Sequence, residues 1–176
     1  MMSKTILCYG DSNTFGLVGG KPEQRYAKDE RWSGFLSELL MTKFDVIEDG
    51  LNNRNAFIHN PQGKNYCALE DLSDALERYK NIDIVILAVG TNDLQFTYDF
   101  NGDIVRNGLT NLVNIVEEYS EETKIIIVPP IKLGSAVESG YFNYQFNGLS
   151  INRSSETFHI YKELAKQYNC YYFDRL

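Results

Sequence analysis

Short runs of β-branched and aromatic residues alternate with amphipathic stretches along the whole chain, and this alternation constrains the fold more than any other feature. The run from Ile84 to Val89 is apolar at every position, which is typical of a strand in a parallel sheet that helices cover on both faces. The pattern predicts five strands, at Thr5–Tyr9, Phe44–Glu48, Asp83–Val89, Lys124–Val128 and Cys170–Phe173.

The stretches between these strands have helical periodicity. They predict helices at Arg31–Thr42, Glu70–Tyr79, Asp103–Tyr119 and Ser155–Tyr168. The first helix carries one apolar stripe, which we expect to face the core: Trp32, Phe35, Leu36, Leu39 and Leu40. Strands joined by helices favour an α/β fold, a three-layer doubly wound parallel sheet of five strands in flavodoxin-like order. Because no Pro, Gly or Ser-rich linker divides the chain, we predict one domain over residues 1–176.

Charge and hydropathy exclude several classes of partner. With 24 acidic and 17 basic residues the chain has a net charge of −7, the wrong sign for binding nucleic acid. The longest wholly apolar run is the six residues from Ile84 to Val89, far short of the roughly 20 that cross a bilayer. The three cysteines are widely spaced and form no CxxC pair, so we expect a reducing, cytoplasmic location.

Polar segments follow the first three strands, at the sheet edge where doubly wound folds place their ligand sites. They bring a hydroxyl from Ser12, an unobstructed backbone N–H from Gly50 and a carboxamide from Asn92 toward one rim. The segments read GDSN at Gly10–Asn13, DGLN at Asp49–Asn52 and GTND at Gly90–Asp93.

These three groups fit acyl transfer. Ser12 would attack the carbonyl carbon, and the N–H groups of Ser12 and Gly50 with the Asn92 amide would form the oxyanion hole. The simpler alternative is that Ser12 and Asn92 cap helices or close turns, as both residue types often do.

The acidic residues of the same segments, Asp11, Asp49 and Asp93, suggest a magnesium site. Because residues that bind phosphate are lacking beside them, turn or supporting roles are favoured over metal binding.

Together the three segments resemble the first three sequence blocks of the SGNH (GDSL-type) serine hydrolases. Arg31-Trp32 and the stretch EDGLNNR at Glu48–Arg54 are similar to the small bacterial arylesterase and acyltransferase branch. The resemblance implies Ser12 as the nucleophile, Gly50 and Asn92 as oxyanion donors, a small ester as the substrate and no metal or organic cofactor. Oligomers are common in that branch, so a homo-oligomer is a further expectation.

The fourth block of the family, Asp-x-x-His after strand 5, supplies the general base and is absent from the 176 residues, which end at Asp174-Arg175-Leu176. We therefore expect a C-terminally incomplete domain without the family's last helix and with impaired activity. Apolar surface would then be exposed on one sheet face and around strands 1 and 5, favouring dimerisation. The alternative function is that of a catalytically inactive SGNH-fold protein kept for binding or assembly.

Only two histidines are available to replace that base. His159 lies on the predicted last helix, turned away from Phe158, and is expected to face solvent or an interface. His59 lies in the loop after strand 2, on the rim of the predicted site, and is more typical of a surface loop histidine than of a base.

A loop of about 20 residues is predicted between strand 4 and the last helix, at Ile131–Arg153, and is unusually long for a compact domain. Its aromatic residues favour equally a wall for an acyl or aryl group and an oligomer contact: Tyr141, Phe142, Tyr144 and Phe146. A third, weaker hypothesis is a flavodoxin-like domain that binds a nucleotide or flavin.

Overall fold

A five-stranded parallel sheet forms the centre of the molecule, in a computed structural model that describes residues 3–175. The strand order is β2-β1-β3-β4-β5, so the predicted flavodoxin-like order is confirmed. The strands are β1 (Lys4–Gly10), β2 (Phe44–Gly50), β3 (Ile84–Ala88), β4 (Lys124–Ile127) and β5 (Tyr171–Tyr172). Because β1 and β2 run further than predicted, Gly10 and Gly50 are the last residues of their strands rather than the first residues of the loops.

Five α-helices connect these strands: α1 (Ser12–Phe15), α2 (Trp32–Leu40), α3 (Ala68–Tyr79), α4 (Gly102–Tyr119) and α5 (Gly148–Gln167). The helix α1 is a single turn that the sequence pattern did not predict. Among residues 3–175, no helix combines the length and the hydropathy that crossing a lipid bilayer requires.

The face of the sheet that α3, α4 and α5 cover holds the larger core. Side chains of alternate strand residues, such as Leu7, Val85 and Leu87, point to this face because successive residues of a strand alternate in direction. They pack against fully buried helix residues such as Leu72 and Leu109.

The opposite face carries α2 over a smaller core that includes Ile6, Cys8 and Ile86. The inward apolar stripe predicted for α2 is wrong at two positions, since Phe35 is 53% and Leu39 66% exposed. These two side chains extend past the covered strands and border an apolar groove of about 450 Å³. The rest of its lining is Trp32, Leu36, Ile86, Ile126, Val128, Phe173 and Arg175. Apolar surface is thus exposed on one sheet face and around β5, where Tyr171 is 63% and Phe173 58% exposed. It lies over β3 and β4 rather than β1, and self-association stays a prediction.

The helix α5 begins seven residues before the predicted Ser155, so the long loop covers 131–147 only. Its start is fixed by Asn147, whose side chain accepts hydrogen bonds from Leu149 N at 3.0 Å and Ser150 N at 3.4 Å. The Ser150 hydroxyl accepts from Asn147 N in return, which completes a capping box. This capping box begins the helix in a stretch where glycine and serine residues lower the helical propensity.

Candidate active site

Ser12 is the first residue of α1, immediately after the carboxyl end of β1. The preceding residue, Asp11, is the N-cap and accepts a hydrogen bond from Asn13 N at 2.9 Å. A residue at the first position of a helix has no intrahelical acceptor for its N–H. Ser12 therefore presents both its half-buried hydroxyl and a backbone donor at the rim of the sheet.

Gly50 ends β2 opposite Gly10, the last residue of β1. A Cβ atom at position 50 would lie 2.1 Å from Phe15 N, so only glycine lets β2 approach α1 this closely. The following residue continues the junction, because Leu51 N donates to Gly10 O at 3.1 Å. The backbone of position 50 is consequently held beside the helix that carries Ser12.

Asn92 begins a short 3₁₀ turn after β3 and is buried. Its Nδ2 donates to Arg54 O at 2.9 Å, which fixes the carboxamide and leaves the second N–H of that amide for another acceptor. Gly90 lies two residues before this turn, and few other residues adopt its φ of 117°. A Cβ there would also lie 2.5 Å from the Tyr161 hydroxyl.

Strand register brings the three candidate residues together. In the parallel sheet Gly10 pairs with Gly50 on one side and with Ala88 on the other, so the three strands end at one level. The loop of Ser12 also contacts the loop of Asn92, since Asn13 Nδ2 lies 3.5 Å from Thr91 Oγ1. This arrangement places a hydroxyl and amide N–H groups at one edge of the sheet, and such groups can stabilise a tetrahedral oxyanion.

Arg54 connects the three strand ends, a role that the sequence pattern does not indicate. Its side chain is 3% exposed, and its guanidinium donates to Gly10 O at 3.0 Å and to Asp49 O at 2.8 Å. It also pairs with Asp49 Oδ1 at 2.9 Å and lies 3.4 Å from Asp71 Oδ2. Because its own carbonyl holds Asn92, Arg54 joins the ends of β1 and β2 to the loop after β3. The sequence signal for such a role is faint: an arginine four residues after a strand end.

Asp93 holds the loop after β2 by hydrogen bonds to its backbone. Its buried carboxylate accepts backbone N–H bonds from Ala56 at 2.6 Å and from Phe57 and Ile58 at 2.9 Å. Burial raises the pKa of Asp93 to about 6, although these three donors oppose the shift. These hydrogen bonds agree with the supporting role predicted for Asp93. Within residues 3–175, no group of three acidic, histidine or cysteine side chains is arranged so that it could hold a metal ion.

Neither histidine is joined to Ser12 by a hydrogen bond within residues 3–175. The His59 side chain is 71% exposed, and its Nδ1 lies 2.7 Å from Glu70 Oε1 on α3. His159 is exposed on α5, beside the Phe158 ring. The predicted surface positions of both side chains are confirmed.

Solved structures similar to this chain include esterases. An aryl esterase from M. smegmatis has 28% identity and a TM-score of 0.86, with 98% of this chain and 84% of that chain covered. A carbohydrate acetylesterase family member from Sinorhizobium meliloti has 28% identity and a TM-score of 0.84, with 97% of this chain and 82% of that chain covered. No match is found among curated protein sequences.

The model of the GDSL-like lipase/acylhydrolase family matches residues 8–175, which include the segments that follow β1, β2 and β3. The predicted resemblance to SGNH esterases is therefore confirmed for both the family and the fold. This chain belongs to the GDSL-like lipase/acylhydrolase family.

Proposed function

We propose that this protein is a serine hydrolase that cleaves small carboxylic esters through an acyl-enzyme on Ser12. The observation that carries the proposal is the convergence of Ser12, Gly50 and Asn92 at the ends of three adjacent strands. The esterase names of similar solved structures support the same reaction class.

In the proposed reaction, Ser12 Oγ forms a bond to the ester carbonyl carbon while its proton passes to a base. The N–H groups of Ser12 and Gly50 and the Asn92 amide stabilise the resulting oxyanion, each donor contributing about 3 kcal/mol in the transition state. The bond to the alcohol then breaks, and the alcohol leaves with a proton. Water attacks the acyl-enzyme, releases the carboxylic acid and restores the Ser12 hydroxyl.

The base is the part of the site that these residues do not supply. His59 is hydrogen-bonded to Glu70, and His159 lies on the exposed side of α5. This observation favours a second candidate function, in which the protein binds esters with little or no turnover. Without the histidine of a triad, residual catalysis comes mainly from the oxyanion hole and substrate binding.

Hydrolysis of p-nitrophenyl acetate tests the first proposal against the second. We expect turnover by the full chain to fall in Ser12→Ala, by less than the roughly 10³-fold or more that a site with its general base would show. Turnover should remain unchanged in Ser73→Ala, a control at an exposed position on α3. Equal turnover in Ser12→Ala would overturn the proposal. Binding of the ester without any turnover dependent on Ser12 would favour the second candidate.

Added imidazole separates a missing base from a missing nucleophile. Imidazole in solution can accept the Ser12 proton, so it should raise the rate of the full chain above the rate of the Ser12→Ala variant at the same concentration. Identical rates for both proteins would show that imidazole acts on the ester alone and that Ser12 contributes nothing.

A further inference from the structure

The helix α5 is hydrogen-bonded to the segment that carries Asn92, on both sides of its turn. Before the turn, the Tyr161 hydroxyl donates to Val89 O at 2.9 Å. After the turn, the Arg153 guanidinium donates to Gln95 O. Positions 153 and 161 are about two turns apart in α5, so one helix holds both ends of the segment.

The Tyr161 side chain has a fixed place beside this segment. It is fully buried, and its ring meets the Phe57 ring edge to face with centroids 6.3 Å apart. Gly90 leaves the space that the hydroxyl needs, because a Cβ atom at position 90 would lie 2.5 Å from that oxygen. Ring packing and the absence of a side chain at Gly90 together bring the hydroxyl to Val89 O.

The Tyr161 hydroxyl keeps its proton and therefore remains a hydrogen-bond donor. Burial raises the pKa of Tyr161 well above its usual value, and the carboxylates of Asp93 and Asp11 raise this pKa further, although Arg175 opposes the shift. A hydroxyl that is buried, protonated and bonded to the backbone does not serve as a base. Its effect on hydrolysis would come from holding Val89.

The position of Val89 bears on Asn92 because the two residues belong to one short connection after β3. The strand ends at Ala88, and Asn92 begins the 3₁₀ turn that follows. Arg54 O holds the Asn92 amide at 2.9 Å from the side of β2, whereas Tyr161 holds the backbone from the side of α5. An oxyanion donor acts within a narrow range, about 2.7–3.1 Å from the developing charge, so a small displacement of the segment would weaken it.

We propose that Tyr161 is a positioning residue for the Asn92 amide in ester hydrolysis. The inference rests on the proposed function, in which Asn92 is an oxyanion donor. Tyr161 contacts no reacting atom in this account. Its hydroxyl holds Val89 O and thereby sets the position of the Asn92 amide relative to the ester carbonyl oxygen.

Tyr161→Phe tests the inference, because it removes the hydroxyl and keeps the ring. Tyr168→Phe is the matched control, since the Tyr168 hydroxyl at the end of α5 donates to Thr110 Oγ1 on α4 at 3.3 Å. With p-nitrophenyl acetate, we expect the Ser12-dependent kcat to fall about tenfold in Tyr161→Phe while KM changes less than about twofold. Both constants should be retained in Tyr168→Phe.

The division between kcat and KM separates positioning from a loss of stability. Lower stability reduces the concentration of folded protein, which circular dichroism measures, but leaves the kcat of the folded protein unchanged. An unchanged kcat in Tyr161→Phe, a change in KM alone, or an equal fall of kcat in Tyr168→Phe would overturn the inference.

Hydrogen exchange tests the contact without requiring turnover. Within the turn, Leu94 N donates to Thr91 O at 3.2 Å, so the exchange rate of the Leu94 amide reports how firmly the turn is held. We expect exchange to be about tenfold faster in Tyr161→Phe and unchanged in Tyr168→Phe. Equal exchange in Tyr161→Phe and the unmodified chain would refute the positioning role.

Failure of the proposed function has a separate signature. Equal hydrolysis by the full chain and by Ser12→Ala would refute the esterase proposal, and the catalytic part of the inference would fall with it. Unchanged Leu94 exchange in Tyr161→Phe would refute the positioning role alone, because hydrolysis would still depend on Ser12.

Discussion

Buried hydrogen bonds hold the rim of the sheet, formed by the carboxyl ends of β1, β2 and β3, whereas the two histidines are exposed. At the rim, buried side chains such as Arg54, Asp93 and Asn92 fix the backbone around Ser12 and Gly50 through hydrogen bonds of 2.6–3.0 Å. His59, by contrast, is exposed and bonded only to a surface glutamate among residues 3–175. Within residues 3–175, the backbone around Ser12 and Gly50 is thus held by buried side chains, whereas neither histidine is hydrogen-bonded to these residues.

Replacing Arg54, which holds the rim, should have the largest effect, and we expect it in the free energy of unfolding. In Arg54→Met, the buried carboxylates of Asp49 and Asp71 lose their main cation, although Arg78 remains 3.6 Å and 3.7 Å from them. We expect the free energy of unfolding to fall by about 3–5 kcal/mol, measured by urea denaturation.

Arg54→Lys is the control for charge. It retains a cation but loses the forked geometry that bonds two backbone carbonyls and Asp49 together. A smaller loss of stability is expected, with hydrolysis still reduced because the rim is less well positioned. Stability unchanged in Arg54→Met would mean that the rim does not depend on this residue.

Truncation of Asn92 tests its proposed role as an oxyanion donor. We expect Asn92→Ala to lower kcat for p-nitrophenyl acetate about 10²–10³-fold, or about 3 kcal/mol of transition-state stabilisation, with a smaller change in KM. Asn111→Ala, at an exposed position on α4, should retain the full rate. A change in KM alone would contradict the assignment, because an oxyanion donor acts mainly in the transition state.

The pH dependence of stability tests Asp93. Its pKa is raised from 3.8 to about 6 in the folded protein, so the folded state holds this proton over a pH range in which the unfolded state has released it. The Asp93 contribution to stability therefore falls as pH rises from about 4 to 6, by at most about 1.4 kcal/mol per pH unit.

Asp93→Asn should remove the contribution of Asp93 to the pH dependence of the free energy of unfolding. Compared with the variant, the unmodified protein should lose stability as pH rises from 4 to 6, in denaturation experiments at fixed ionic strength. Parallel curves for the two proteins would show that the pKa of Asp93 is not raised.

The smallest effects are expected from the histidines. His59→Ala and His159→Ala should each change the rate of ester hydrolysis less than about twofold, since surface substitutions away from a site have little effect. A loss of several orders of magnitude in His59→Ala would instead identify His59 as the base, and the contrast between the rim and the histidines would disappear.

Sequence patterns predicted the strands and the rim well for a physical reason. Continuous apolar runs between helical stretches indicate buried parallel strands. Parallel topology brings the carboxyl ends of these strands together, so the sequence predicts that Ser12, Gly50 and Asn92 lie at one edge of the sheet. The side chains that hold the rim were harder to predict. Arg54 acts through contacts with residues far away in sequence, such as Gly10, and no local pattern encodes such contacts.

Two helix predictions failed where tertiary context or capping outweighed periodicity. The apolar spacing of α2 indicated a buried stripe, but Phe35 and Leu39 extend beyond the core on a face that α2 covers only in part. The start of α5 is determined by the Asn147 capping box, in a stretch with little apolar periodicity. Periodicity therefore predicts that a helix exists better than it predicts the residue at which the helix begins or the residues that the helix packs against.

Covalent labelling by a fluorophosphonate probe, followed by intact-mass measurement and peptide mapping, tests the central claim most directly. The account predicts one phosphonyl group per chain, located on Ser12, and its loss in Ser12→Ala but not in Ser73→Ala. A folded chain that remains unlabelled, or labelling that persists to the same extent in Ser12→Ala, would contradict the assignment of Ser12 as the nucleophile.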